Sequence, residues 1–238
     1  MSDGSVSAAG EAPGWYGKLG ALGDFAQRRL HEATVRRIDD WLSRAMSGGR
    51  EHLGAQWLDS YLTAPVLRFA WAPDVLDERW WFGVLMPSCD NVGRYFPLLI
   101  AQTRTRAPLD VIALDHLEAW FDHLARAAAH TLAEGASLDG FEHALHDAPP
   151  WPTPGTAIAI ERRAIDHGEQ HRFDARATLA HWLRGIAVGE IQARVHGCSI
   201  WWRHAPGDPE AQATLTQGLP DGARFAALLT GAAPPHGS

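Results

Sequence analysis

Apolar residues recur at two periods along this chain, and the switch between them predicts the elements. Val35, Ile38, Leu42 and Ala45/Met46 return every three to four residues, with Arg36, Arg37, Asp39 and Asp40 between them. That spacing places the apolar side chains on one face of a helix and the charges on the other. Gly48-Gly49 is expected to end it. Leu53, Trp57, Leu58 and Tyr61 share a face of a second helix over residues 51–62. The clearest helical pattern is Leu114, Leu117, Phe121, Leu124, Ala128 and Leu132, stopped by Gly135. Ser137 then caps a shorter helix running through Leu145.

The second period belongs to strands. Residues 14–19 read as a short strand entering a loop punctuated by Gly20 and Gly23, and residues 66–71 as another. Residues 80–86 are continuously apolar, as in a strand covered on both faces, and residues 95–101 repeat that pattern. The Pro/Ser/Asp/Asn/Gly cluster at 87–94 joins them as an antiparallel hairpin. Pro97 has no N–H to donate and is expected at an edge or bulge. Farther on, residues 157–160 suit a short strand. Asp174 is placed to cap a helix carrying Leu179, Trp182, Leu183 and Ile186, residues 198–203 form a strand, and residues 225–229 a closing helical turn. On that strand Trp201 and Trp202 must point to opposite faces. One belongs to the core; the other is an exposed anchor or lies under a helix.

Helices precede and follow strands in blocks, which predicts an α/β fold with a mostly antiparallel central sheet flanked by helices. Residues 1–13, rich in Ser, Ala and Gly, read as a disordered leader without the basic and apolar regions of a signal peptide. Residues 14–148 form the main α/β domain. The Pro-rich stretch 149–156 is a linker, and 157–238 a C-terminal α/β extension packed on the same core.

Composition narrows the function classes. The 238 residues are 46% hydrophobic and carry a formal charge of −7, which argues against a nucleic-acid surface. The longest apolar runs fall short of the roughly 20 residues that span a bilayer, so no membrane insertion is expected. Lys18 is the single lysine among 21 basic residues, and with 11 tryptophans present, stacking of arginine on indole is expected. Cys89 and Cys198 are read as reduced thiols of a cytoplasmic protein.

Motifs that carry chemistry are incomplete. Gly14-Trp15-Tyr16-Gly17-Lys18-Leu19 has two residues where a phosphate loop needs four, and Leu19 stands where the magnesium hydroxyl belongs. His116, His123 and His130 share a helical stripe but lie about 10.5 Å apart along it, too far to share a zinc ion. His167 and His171 have i, i+4 spacing, but Gly168 weakens a helix there and Glu169 is misplaced for a zinc-protease motif. No metal and no cofactor are expected, and no catalytic residue is assigned. Asp24, Asp90 and Arg94 remain as loop residues that either pair across the fold or face a partner.

The ordered blocks Trp15-Tyr16-Gly17-Lys18-Leu19 with Gly23-Asp24-Phe25, Tyr61-Leu62 with Ala64-Pro65-Val66 and Arg68-Phe69, Gly83 to Ser88 with Asp90 and Val92 to Leu98, and Ser199 to Trp202 with Gly218-Leu219-Pro220 and Phe225 resemble the TagF/ImpM family of type VI secretion accessory proteins. Gly20-Ala21-Leu22 and Cys89 depart from the family pattern. The resemblance implies a longin-like core and a cytoplasmic post-translational repressor of type VI secretion. Its implied partner is a secretion component such as the forkhead-associated scaffold Fha. Trp15, Lys18, Asp24, Asp90, Arg94 and Trp202 are the candidate docking residues. The alternatives are a structural or assembly subunit of the machine, or a hydrolase using Asp24, Asp90 or Cys89.

Overall fold

The continuous apolar runs become the middle of a sheet because both of their faces are covered. The computed structural model describes residues 12–22, 24–90, 92–107, 111–152, 158–203 and 210–232. Residues 1–11 of the expected leader, Gly23, Asn91 and residues 153–157 around the expected linker lie outside the described residues. In chain order the elements are β1 (Gly14–Lys18), β2 (Phe25–Arg28), α1 (Glu32–Leu53), a one-turn 3-10 segment, α2 (Trp57–Thr63), β3 (Leu67–Trp71), β4 (Trp80–Met86), β5 (Leu98–Arg104), α3 (Val111–His130) and α4 (Leu138–His146). They continue with β6 (Glu161–Ile165), β7 (Gly168–Arg172), α5 (Leu179–Val195), β8 (Cys198–Arg203), β9 (Gln212–Gln217) and α6 (Gly222–Thr230).

Seven strands pair in the order β2-β1-β5-β4-β3-β8-β9, every neighbour antiparallel. The first five strands form one block in the order β2-β1-β5-β4-β3, and β8 and β9 extend it beyond β3. The predicted hairpin is β4–β5, with Met86 opposite Leu98. Side chains alternate between the faces. Leu67, Phe69, Trp71, Trp81, Leu85, Leu99 and Trp201 join α1, α2 and α6 in one core. Trp15, Ala70, Phe82, Val84, Leu98 and Ile100 join α3 and α4 in the other. Arg68 fixes α3 to the sheet through ion pairs to Glu118, at 2.5 Å, and Asp122.

The structure corrects several local expectations. Gly48-Gly49 does not end α1, which runs on to Leu53. These glycines let α6 approach, since a methyl group on Gly222 would lie 2.5 Å from the Gly48 backbone. Close helix contact outweighs the roughly 1 kcal/mol that a helical glycine costs relative to alanine. Pro97 sits just ahead of central strand β5, outside its ladder, so no edge is needed. Thr178, not Asp174, caps α5 in a capping box with His181; Asp174 instead closes a turn through Arg176. Residues 158–160 are not a strand, and the unpredicted hairpin β6–β7 follows them. Its residues are exposed except His171 and mostly polar or charged, so no apolar alternation marks it. His167 occupies its turn with φ of 63°, so the His167–His171 pair is not helical.

Candidate functional site

Lys18 is the last residue of β1, and the β4–β5 loop folds over its side chain. Its Nζ donates to Asp90 Oδ2 at 2.8 Å, and the two side chains are 5% and 0% exposed. The Arg94 Nε donates to the same oxygen at 2.7 Å. Asp90 Oδ1 accepts the backbone N–H groups of Val92 and Arg94, at 3.1 and 2.8 Å. Desolvation opposes ionisation of this acid, but the hydrogen bonds from Lys18, Arg94 and Val92 outweigh it and hold the carboxyl well below its usual range. Four donors occupy the four lone-pair sites of a carboxylate, so Asp90 has no basic site left for proton transfer.

The rest of the loop is pinned from two sides. Ser88 Oγ donates to the Lys18 carbonyl at 2.8 Å. The Tyr61 hydroxyl on α2 donates to the Ser88 carbonyl and accepts from its N–H, both at 3.0 Å. Burial pushes the Tyr61 phenol well above its usual range, so it stays neutral and able to donate. Gly93 closes the turn at φ of 80°, a conformation that favours glycine. Apolar side chains that reach solvent lie beside this centre and on α2. Phe25 is 45% exposed and packs on Phe96 at 4.8 Å, over the Lys18 ammonium at 5.0 Å. Tyr95 packs on Tyr61 at 6.1 Å. Leu58 and Leu62, one turn apart on α2, and Val92 in the loop are exposed as well.

Of the six candidate docking residues, the structure brings together Lys18, Asp90 and Arg94. Lys18 and Asp90 are internal, and the Arg94 side chain is 57% exposed. Asp24 is exposed and caps the Phe25 N–H at 2.8 Å, and it joins no ion pair among the described residues. Trp15 is corrected as a docking contact. It is 1% exposed, and its Nε1 donates to Glu142 at 2.6 Å. Arg29 donates to the other Glu142 oxygen, so Trp15 sits in a link between the β1–β2 hairpin and α4. Trp202 lies against Phe121 of α3, the covered alternative, while Trp201 is fully buried on the opposite face. Phe25, Leu62 and Tyr95 lie in the blocks that carry the family resemblance but were not among the candidate docking residues, and Leu58 was placed on one helical face with Leu53, Trp57 and Tyr61.

Other chemical candidates separate. Cys89 and Cys198 are both unpaired thiols. No group of three or more His, Cys, Asp or Glu among the described residues is placed to hold a metal. Arginine does stack on indole, Arg79 over Trp81 at 5.5 Å and Arg104 over Trp151 at 4.5 Å. Burial lowers Arg104 to about 10, which leaves it charged at neutral pH.

The Lys18–Asp90 pair gives a signed pH test. A carboxyl depressed on folding contributes stability that is present above its unfolded value of 3.8 and lost as the pH falls toward its folded value. Asp90→Asn leaves the Lys18 ammonium buried without a counter-charge, so the variant is the less stable at neutral pH. The gap to the parent protein should narrow as the pH drops below about 4. Urea midpoints measured across that range decide it, and a gap that stays constant would show that the pair is not ionised in the fold.

Residues 14–148 match the family described as TagF N-terminal domain, Type VI secretion system-associated. The crystal structure of PA0076 from Pseudomonas aeruginosa PAO1 aligns with a TM-score of 0.74 and 37% identity, over 92% of this chain and 94% of that one. Comparison with curated proteins gives no match. Among the described residues no helix is long and apolar enough to cross a membrane.

Proposed function

We propose that this chain, which belongs to the TagF family of type VI secretion-associated proteins, is a cytoplasmic post-translational repressor of the secretion apparatus. It acts by binding a secretion scaffold such as the forkhead-associated protein Fha, and not as an enzyme. The observation that carries this reading is the exposure of Phe25 and Tyr95 beside the ion-paired turn at Asp90 and Arg94, with Leu58 and Leu62 exposed on α2, the helix whose Tyr61 holds that turn. A surface that exposes aromatic and aliphatic side chains from a rigid support resembles the centre of a binding interface. Preorganisation matters because little ordering entropy is then lost on association. The saturated Asp90 weighs against the hydrolase alternative, since its carboxylate has no site left to activate water.

Of two substitutions that place charge on exposed positions, Leu62→Arg should leave the fold stable within about 0.5 kcal/mol, and Tyr95→Glu should cost about 1 kcal/mol for the ring contact with Tyr61. Each is expected to weaken binding to the purified scaffold at least about tenfold, as loss of a central interface residue does. Secretion in a deletion strain complemented with either variant should rise toward the level of the uncomplemented strain. Full repression by folded protein carrying both substitutions would refute this surface. An unchanged secretion level on deleting the gene would refute repression itself.

A further inference from the structure

We infer that the outer edge of β9 receives an extended segment of a partner protein, one bearing a carboxylate and, two residues away, an apolar side chain. This site lies at the far end of the sheet from the exposed side chains beside the 88–96 loop and is independent of them. The two ends of the sheet differ. The β2 edge is four residues long and ends in Arg28, followed by Arg29 at φ of 57°, which are common ways of discouraging strand addition. β9 offers six residues, Gln212 to Gln217, with no charge and no proline, and no described strand pairs with its outer side. A row of backbone donors and acceptors is matched by another extended chain.

Beside that edge, on the face shared with α6, lies a cavity of about 280 Å³ whose walls include Leu67, Leu228, Thr214 and Thr216. Successive side chains of an added strand alternate between faces, so every second one would enter the gap between β9 and α6. Arg203 reaches the same cavity from β8, where it pairs in register with Gln212. It is half-buried and has no ion pair among the described residues. A partly desolvated guanidinium favours a carboxylate, which it holds through two parallel hydrogen bonds. A Glu or Asp opposite Gln212 would lie within its reach. The next residue on that face, opposite Thr214, would meet the aliphatic wall.

The test uses the full chain and synthetic extended peptides in which Val and Thr alternate around a central Glu, Gln or Lys. The Glu peptide is expected to bind at least about tenfold more tightly than the Lys peptide, as suits a desolvated charge pair. Amide hydrogen exchange at 212–217 should slow when it binds. Arg203→Glu should invert the preference, while Tyr95→Glu should leave it unchanged. Binding indifferent to the central charge, or exchange in β9 that does not respond, overturns the inference. Self-association that protects β9 without peptide also overturns it, because a second copy would then cover the edge.

Discussion

Gly83→Ala is expected to destabilise the protein by about 3 kcal/mol or more, the upper range for an overpacked core. Gly83 lies in the middle of β4, opposite Phe69 on one side and Ala101 on the other. A methyl group there would sit 1.9 Å from the Ile100 carbonyl oxygen and 2.8 Å from the Phe69 ring. The oxygen is backbone of the adjoining strand, so relief requires the two central strands to separate. Gly168→Ala is the control. It stands on the exposed β7 with nothing within 4 Å of the added methyl, and should change stability by no more than about 0.5 kcal/mol. Equal urea midpoints for the two variants would refute the packing of β4 against β5.

The second large effect is Trp201→Ala, with an expected loss of about 3–5 kcal/mol. Trp201 is fully buried. It contacts Phe69 at 5.4 Å, Trp71 at 5.9 Å and Trp41 of α1 at 5.9 Å, and its Nε1 donates to Ser199. The indole therefore joins β8 to the first helix and to the sheet centre. Its removal opens a cavity where three elements meet, and none can shift without disturbing the others. For a chain of this size each kcal/mol moves the midpoint by about 2–4 °C, so the melting temperature should fall by roughly 10 °C. Trp202→Ala tests the opposite face. That ring is half-buried against Phe121, so its loss should be smaller. The reverse order would mean that the faces of β8 are exchanged.

Where the sequence was legible, one side-chain period ran without interruption. The α3 pattern held through Leu117, Phe121, Leu124 and Ala128, all buried, although Leu114 and Leu132 at its ends are exposed. Ser137 caps α4 as its spacing predicts. The hairpin β4–β5 was visible because β4 is apolar throughout and β5 opens on the apolar run Leu98 to Ala101. Strands β2 and β9 were not visible, since edge strands face solvent on one side and carry the Gln, Thr and Arg residues of ordinary loops. At the site, the turn chemistry of residues 87–94 marked a loop, and Asp90 and Arg94 were correctly placed within it. That Lys18, 72 residues earlier, would neutralise Asp90 was not readable. Nor was the exposure of Leu58 and Leu62, because helical spacing identifies neighbours on a face without saying which face is covered.

By itself, then, the sequence determined which segments are helix or strand in the interior, the antiparallel character of the sheet, and the turn that joins β4 to β5. These follow from local sterics and from the need to bury apolar side chains at a fixed period. The tertiary structure alone decided the strand order, the approach of α6 to Gly48 and Gly49, the burial of Trp15, and the sharing of Asp90 between Lys18 and Arg94. Each of these depends on which distant surfaces meet, and contact between residues far apart in the chain leaves no periodic trace in either partner.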